Sequence, residues 1–230
     1  MHTALEGMQL AASRGGEQLR KHFGQELAIQ EKSMAADVVT KADKDSEAAI
    51  LEVLAAQFPD YSILSEEAGM IERGPEGLFV VDPLDGSHNF VLGIPNFSVS
   101  VTLLRAGESV VSVVHQPILN RTYFAETGAG VHVDGRKLRV NQEGDIKRAT
   151  VSHIRNYIAS VERNNQLFSA LSTAGVKRYL SAWSPAWDFC LLASGKIEAI
   201  IVDITTEKEA YDYVGGKLLA REAGGKVTDF

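Results

Sequence analysis

Residues 78–87, which read LFVVDPLDGS, join an apolar run to two acidic residues, Asp82 and Asp85. The apolar part is typical of a buried strand, and Pro83 and Gly86 predict a sharp turn directly after it. Because α/β proteins bind ligands at the carboxyl ends of such strands, the stretch predicts an α/β fold with a polar site at this point. Asp-Pro and Asp-Gly pairs are also common in ordinary surface turns, so that alternative stays open here.

The turn has the chemistry of a site for both a metal and an anion. Asp82 and Asp85 can each face a different divalent cation, and the Leu84 carbonyl adds an oxygen ligand of the kind that Mg²⁺ prefers. Gly86 allows a bound group to approach the main chain closely. Ser87 predicts the start of a short helix, whose free amide groups would accept a phosphate.

Two further acidic segments are candidates for the same site. Glu66 and Glu67 follow a strand-like run that ends at Ser65, and Asp43 ends the segment 37–43, DVVTKAD. An exposed pair of glutamates would explain the first segment equally well. Asp43 fits either a helix cap or a residue that reaches a metal-bound water.

The remaining pattern predicts a layered α/β protein. A helix over 3–23 is expected to bend or break at Gly15-Gly16, and a second helix over 44–57 could be capped by Asp43. The most polar connection, 140–147, suggests two halves: an α+β half over 1–143 that carries most metal ligands, and an α/β half over 144–230 that completes the active site. Further strands are predicted over 61–64, 78–82, 97–104, 109–115, 122–125, 199–202 and 226–228, and further helices over 161–174, 185–194 and 210–223.

Composition limits the function classes. The net charge of −7 argues against a broad nucleic-acid surface, which would have to be basic. No apolar run approaches the roughly 20 residues of a membrane helix, and residues 1–6 do not resemble a signal peptide, so we expect a cytoplasmic protein without membrane association. The single cysteine, Cys190, lies among apolar neighbours, and a buried thiol is expected.

Five ordered segments resemble the inositol monophosphatase family, part of a superfamily of lithium-sensitive, magnesium-dependent sugar phosphatases. The resemblance implies an α-β-α-β-α sandwich, a homodimer, and hydrolysis of a small phosphate monoester without a covalent enzyme intermediate. The segments are 37–43 (DVVTKAD), 65–67 (SEE), 82–90 (DPLDGSHNF), 93–100 (GIPNFSVS) and 222–225 (EAGG).

The resemblance also assigns roles to individual residues of the site. Two or three Mg²⁺ ions are implied: one held with Glu66, a second with a late aspartate, and a weaker third between Asp43 and Glu66. Lys32 would balance charge near the ions. The implied metal ligands are Glu66, Asp82, the Leu84 carbonyl, Asp85 and Asp212.

The implied catalytic residues are Asp43, Glu66 and Ser87. Asp43 and the Ser87 hydroxyl would position and activate the attacking water. The substrate would contact Asp85, Gly86, Ser87 and Asp212.

The sequence departs from the family at three points. Ser87 stands where threonine is commoner, and Ser65 stands where the family usually has glycine. The chain stops at Phe230, where relatives usually continue with a strand and a helix, so both a short member and a truncated chain stay open.

Inositol monophosphate is the first expected substrate. Fructose 1,6-bisphosphate is the alternative, because residues 200–209 lack the aromatic-aromatic-glutamate pattern of many inositol-specific relatives. Histidinol phosphate and adenosine 3',5'-bisphosphate also stay open. A role as a binding partner in the transcription machinery is the non-enzymatic alternative.

The late metal ligand is predicted to be Asp212 and not Asp188, although Trp187-Asp188 resembles the family's Trp-Asp signature. In the family this aspartate precedes the glutamate of Glu-Ala-Gly-Gly by ten residues, which is the separation of Asp212 from Glu222. The alternative for Asp212 is a helix N-terminal acid worth about 0.5–2 kcal/mol. Asp212→Asn should therefore weaken metal binding and greatly reduce turnover, whereas Asp188→Asn should mainly lower the melting temperature. The magnesium dependence of the two variants tests this, and loss of metal-dependent turnover in Asp188→Asn alone would contradict it.

Overall fold

A computed structural model describes residues 3–25, 30–31, 38–154, 161–202 and 210–228 of the chain. A 3-10 turn spans Ile146–Arg148. The helices are α1 (Ala4–His22), α2 (Lys41–Gln57), α3 (Ser87–Val91), α4 (Val161–Ala174), α5 (Pro185–Ala193) and α6 (Ala210–Glu222). The strands are β1 (Gln30–Glu31), β2 (Val38–Val39), β3 (Tyr61–Ser65), β4 (Gly69–Pro75), β5 (Leu78–Asp85), β6 (Ser98–Arg105), β7 (Glu108–Gln116), β8 (Arg121–Glu126), β9 (Gly130–Val133), β10 (Arg136–Leu138), β11 (Thr150–Ile154), β12 (Arg178–Leu180) and β13 (Ala199–Val202).

The described strands form one large sheet and two small ones. The large sheet has eight strands in the order β10-β9-β8-β7-β6-β5-β3-β4. Within it, β3 and β5 pair in parallel and the other neighbours pair antiparallel. A second sheet, β12-β11-β13, is parallel, and β1 and β2 form a short antiparallel pair. This mixture of parallel and antiparallel strands with helices confirms the predicted α/β class.

Three apolar clusters hold the layers together. In the first, Met8 of α1 and Leu54 of α2 pack with Phe79 and Val101 of the large sheet. On the opposite face, α5 and α6 fill the space between the large sheet and the three-stranded sheet. Leu171 of α4 then packs on the outer face of the small sheet. The layers therefore follow one another as the predicted α-β-α-β-α sandwich. They are the α1–α2 pair, the large sheet, the α5–α6 pair, the three-stranded sheet and α4.

α1 runs unbroken through Gly15 and Gly16, so the predicted break into two helices is wrong. The two glycines serve close packing instead. A Cβ atom on Gly15 would approach the Ile50 side chain of α2 to 2.8 Å, and one on Gly16 would approach His115 to 2.5 Å. The absence of side chains at this point lets α1 lie against both α2 and the sheet.

α2 begins three residues earlier than predicted, because Thr40 and not Asp43 caps it. The Thr40 hydroxyl accepts a hydrogen bond from the Ala42 amide, and the Asp43 carboxylate accepts one from the Thr40 amide. This reciprocal pattern is a capping box. Asp43 is thereby held in the first turn of α2.

The predicted strand over 226–228 is wrong, since the described backbone there is irregular. α6 ends at Glu222, whose carboxylate accepts hydrogen bonds of 2.8 Å from the amides of both Gly128 and Gly130. This glutamate connects the end of α6 to the β8–β9 turn.

In the described parts of the chain, no helix has the length and apolar character to cross a membrane.

His115 of β7 is a buried histidine at the contact between α1 and the large sheet. Its side chain is 2% exposed, its Nδ1 lies 2.9 Å from the Thr122 hydroxyl, and its Nε2 has no hydrogen-bond partner among the described residues. Burial, with a smaller effect of the Arg20 charge, lowers the pKa of His115 to about 4. Protonation would place an unpaired charge in the core.

We expect His115 to make the protein less stable in acid. Between its ordinary pKa near 6.5 and the folded pKa near 4, the unfolded chain binds more protons, so the free energy of unfolding falls as the pH falls through this window. From pH 7 to pH 5 the loss should be about 2 kcal/mol larger in the wild-type protein than in His115→Gln. Urea unfolding of both proteins at the two pH values, in chelator, measures this difference. Equal losses would mean that His115 is not held neutral by the fold.

Candidate active site

Asp82 and Asp85 lie at the end of β5, each only 2% exposed. The pairing of β5 with β6 shifts between them: Asp82 faces Ser100 and Asp85 faces Ser98. Pro83 has no amide hydrogen to donate to the ladder, which explains a bulge at this position. The Leu84 amide turns back and donates to Asp82 Oδ1 at 2.9 Å. Both carboxylates are therefore carried by one irregular strand end. The predicted strand over 78–82 extends to Asp85, and a bulge stands where a sharp turn was predicted.

The Asp85 carboxylate is held by donors from three parts of the chain. Its Oδ2 accepts hydrogen bonds from the Ser98 hydroxyl at 2.7 Å, the Ser184 hydroxyl at 2.6 Å and the Trp187 amide at 3.2 Å. Its Oδ1 is buried and has no hydrogen-bond partner among the described residues. Burial raises the pKa of Asp85 to about 6, against the opposing effect of these hydrogen bonds. One oxygen is thus fixed in place and the other is open to a further ligand.

Glu66 directly follows the last residue of β3, the strand that pairs in parallel with β5. In the parallel pairing of β3 with β5, Ser65 lies opposite Val81, and the Glu66 amide donates to the Val81 carbonyl at 3.1 Å. The residue that follows each of these two is acidic: Glu66 follows Ser65, and Asp82 follows Val81. Glu66 is exposed, whereas Asp82 is buried, so one acid of the pair is accessible to solvent and the other lies in the core.

Asp43 reaches the same region from α2. Its Oδ2 accepts hydrogen bonds from the Thr40 amide at 2.9 Å and the Thr40 hydroxyl at 2.7 Å, and its side chain is buried. Burial raises the pKa of Asp43; the Thr40 hydrogen bonds oppose this shift, and the nearby Glu66 carboxylate adds to it. α2 is also attached to the β5 turn, because the Ser46 hydroxyl donates to the Pro83 carbonyl at 2.8 Å.

Gly86 forms the tightest point of the turn. Its φ of 91° lies in the left-handed region, which strongly favours glycine. A Cβ atom there would lie 3.0 Å from the Asn96 carbonyl oxygen and 3.1 Å from Ser184 Cβ. Ser87 then begins the short helix α3, as the sequence predicted.

Two residues of the predicted site lie wholly or partly outside the described structure, and a third residue, Asp188, was predicted to lie outside the site. Lys32 lies outside the described residues. The backbone of Asp212 lies in α6, two residues after its start, and its side chain is outside the described part of the structure. Asp188, for which a purely structural role was predicted, accepts a hydrogen bond from the Ser152 hydroxyl at 2.6 Å. Burial raises its pKa to about 7, and the charge of Asp85 contributes, so Asp188 lies within electrostatic range of the site.

The groups that support Asp85 were not predicted from the sequence. Ser98 was read only as part of a strand, and Ser184 precedes a predicted helix without any local sign of function. They lie 13 and 99 residues from Asp85 in the chain. Pairing across a sheet and packing of a distant segment bring them together, and local spacing carries no signal for either.

The described residues can be compared with the needs of a divalent cation. No three His, Cys, Asp or Glu side chains within the described ranges are assembled as a metal-holding group. The individual groups nevertheless fit Mg²⁺, which prefers carboxylate and carbonyl oxygens. Asp85 Oδ1 is a buried oxygen without a described hydrogen-bond partner, and burial of Asp43, with a smaller effect of the Glu66 charge, raises the Asp43 pKa. A bound cation would supply a partner for this oxygen and would favour the charged form of Asp43.

The architecture and the carboxylate-bearing strand end define a class of layered α/β proteins, and comparisons identify the family. The sequence model of the inositol monophosphatase family matches residues 2–230, so this chain belongs to the inositol monophosphatase family. The fructose-1,6-bisphosphatase/inositol-1-monophosphatase of Thermotoga maritima is 30% identical over 221 residues, covering 94% of this chain and 80% of the relative.

Proteins with another name are similar to the same extent. The Nus factor SuhB of Vibrio cholerae is 31% identical over 234 residues, covering 100% of this chain and 86% of the relative. The structure of the extragenic suppressor protein suhB of Bartonella henselae superposes with a TM-score of 0.92 at 29% identity, covering 98% of this chain and 86% of that one. The family therefore includes relatives named as phosphatases and relatives named as a Nus factor or an extragenic suppressor protein.

Gly86→Ala should disrupt the turn, and Gly93→Ala supplies a matched control. Both glycines have positive φ, 91° and 72°, so each alanine should cost about 1–2 kcal/mol of backbone strain. Only at Gly86 would the new methyl group meet neighbouring atoms, since nothing lies within 4 Å of a Cβ atom at Gly93. We expect phosphate-ester hydrolysis to fall about 10²-fold in Gly86→Ala alone, because a small displacement of reacting groups is enough for such a loss. Equal activity in the two folded variants would contradict the assigned importance of the Gly86 turn.

Proposed function

We propose that this chain is a magnesium-dependent phosphatase for small phosphate monoesters and that inositol monophosphate is its preferred substrate. The observation that carries the proposal is the buried strand end with Asp82 and Asp85, which lies beside Glu66. Asp85 has one oxygen fixed by three donors and one without a described hydrogen-bond partner. Membership of the inositol monophosphatase family supports the same reaction class.

The proposed metal ligands are those that the sequence predicts, and the proposal extends to two or three ions. Bound Mg²⁺ would supply stabilisation of the negative charge that develops on the phosphoryl and leaving-group oxygens. Lys32 is proposed to balance the charge of the carboxylates. The ligand set is Glu66, Asp82, the Leu84 carbonyl, Asp85 and Asp212.

Asp43 and Ser87 are proposed to prepare the water that attacks phosphorus. Asp43 is fixed through its Oδ2 by the Thr40 amide and hydroxyl, which orients the carboxylate before substrate binds. Burial raises the pKa of Asp43, and a carboxylate with a raised pKa is a better proton acceptor. The Ser87 hydroxyl would orient the same water, while the main chain at Gly86 and Ser87 would hold the phosphoryl oxygens.

The alcohol part of the substrate is the less specific part of the proposal. The Thermotoga relative is named for both fructose 1,6-bisphosphate and inositol 1-phosphate, which supports a choice between these two. Residues 203–209, which belong to the segment that the sequence analysis used for this choice, lie outside the described residues. Asp85, Gly86, Ser87 and Asp212 are the proposed substrate contacts in either case. A homodimer in the cytoplasm completes the proposal.

A role in transcription is the second candidate, because relatives are named Nus factor SuhB. The acidic net charge of −7 makes direct binding along a nucleic-acid backbone unfavourable, so a protein partner would be the more suitable contact. The carboxylates of the candidate site are all present in this chain, which favours an enzyme over a binding partner without activity.

Phosphate release from a panel of esters tests the proposal. The panel contains inositol 1-phosphate, fructose 1,6-bisphosphate and a nucleoside monophosphate, each with Mg²⁺, with excess chelator, and with Mg²⁺ plus lithium. We expect release only with Mg²⁺ and inhibition by lithium. Ser87→Ala, purified in the same way, should lose about 10²-fold and so excludes a contaminating phosphatase.

Each outcome of the panel has a separate meaning. Undiminished release in chelator would contradict the metal-dependent mechanism. Insensitivity to lithium would contradict only the subfamily assignment. A folded protein that releases no phosphate from any ester would favour the transcription role.

A further inference from the structure

Glu47 of α2 is a buried glutamate that the mechanism above does not use. Its side chain is 8% exposed. A single oxygen, Oε1, accepts hydrogen bonds from the Ser65 hydroxyl, the Glu67 amide at 3.2 Å and the Ala68 amide at 3.0 Å. Burial of a carboxylate is costly without such compensation, and hydrogen bonds to a charged acceptor are the stronger kind.

The three donors lie on both sides of Glu66. Ser65 precedes it and the Glu67 and Ala68 amides follow it, so Glu47 fixes the chain immediately before and after the proposed metal ligand. The Glu66 amide itself is fixed by the Val81 carbonyl at 3.1 Å. The chain is therefore held by a hydrogen bond at each residue from 65 to 68, and Glu66 within this segment is exposed.

α2 carries this support on the face that also carries Asp43. Asp43 and Glu47 are four residues apart on the helix, and both are buried toward the site. Between them, the Ser46 hydroxyl donates to the Pro83 carbonyl in the Asp82–Asp85 turn. One helix thus contacts the two strand ends that carry the proposed ligands.

We propose that Glu47 is a positioning residue, which holds the 65–68 turn so that Glu66 faces the divalent cation before the cation binds. The inference rests on the proposed function, because it takes Glu66 to be a metal ligand. Glu47 itself is not a ligand in this proposal. Because Glu47 already orders the 65–68 turn in the free protein, cation binding does not have to supply the free energy for that ordering. Residues that hydrogen-bond behind metal ligands generally act in this way.

Binding of Mn²⁺, a paramagnetic substitute for Mg²⁺, measures this contribution directly by the EPR signal of the free ion. Glu47→Ala should weaken Mn²⁺ binding about tenfold or more, the usual effect of removing a partner behind a metal ligand. Glu47→Gln, which keeps an oxygen acceptor for the two amides and the hydroxyl, should bind Mn²⁺ close to the wild-type affinity. Ile50→Val is the matched control, since it removes a buried methyl group from α2 and leaves Glu47 and its three donors unchanged. It should lower the melting temperature and leave the affinity unchanged.

The results separate this inference from the proposed function. No Mn²⁺ binding by the wild-type protein would contradict the proposed function itself. Wild-type binding with an unchanged affinity in Glu47→Ala would overturn only the role of Glu47. If Glu47→Gln binds Mn²⁺ as weakly as Glu47→Ala, then the negative charge of Glu47 determines the Mn²⁺ affinity, and the positioning role is overturned. If Glu47→Ala does not fold, Ser65→Ala removes one of the three donors, and an unchanged affinity in that variant overturns the proposal.

Discussion

Burial of the Asp85 carboxylate is the constraint on which the site and much of the fold depend. A carboxylate taken out of water is expensive unless donors replace the lost solvent. Its Oδ2 receives them from Ser98 on β6, from Ser184 before α5, and from the Trp187 amide inside α5. Residues about 100 positions apart in the chain must therefore come together for Asp85 to be buried. The C-terminal half is attached to the large sheet at the point where the proposed chemistry takes place.

α2 makes the corresponding connection on the other side of the large sheet. The helix begins with a capping box in which Asp43 is the return partner of Thr40, so a residue proposed for water activation also takes part in starting the helix. One turn later, Ser46 and Glu47 hold the β5 turn and the 65–68 turn. Because these contacts come from one rigid element, a displacement of α2 would move three parts of the site together.

Much of this arrangement could be predicted from the sequence, and the failures have physical causes. The run 78–87 predicted both the buried strand and the irregular turn, because an apolar run and a following proline and glycine act locally. The Gly15-Gly16 pair was misread as a break in α1, since close packing against Ile50 and His115 depends on distant residues. The mostly exposed strand β4, with the sequence GMIERGP, was not predicted, because it shows no regular apolar alternation and gains its order from pairing with β3.

The electrostatics of the site connect the two halves of the chain in a way that spacing did not indicate. Asp188 was assigned a structural role on the basis of its distance from the EAGG segment. Burial raises its pKa, however, and the charge of Asp85 adds to this rise, which places Asp188 near the site. On the other side of the site, the charge of Glu66 contributes in the same direction to the raised pKa of Asp43. Asp85 with Asp188, and Glu66 with Asp43, therefore lie within electrostatic range of each other, and carboxylates at such range repel each other when both are charged. A fold that buries several acids in this way lowers its free energy when a divalent cation is bound among them, and a cation there would allow an acidic protein to accept an anionic phosphate ester.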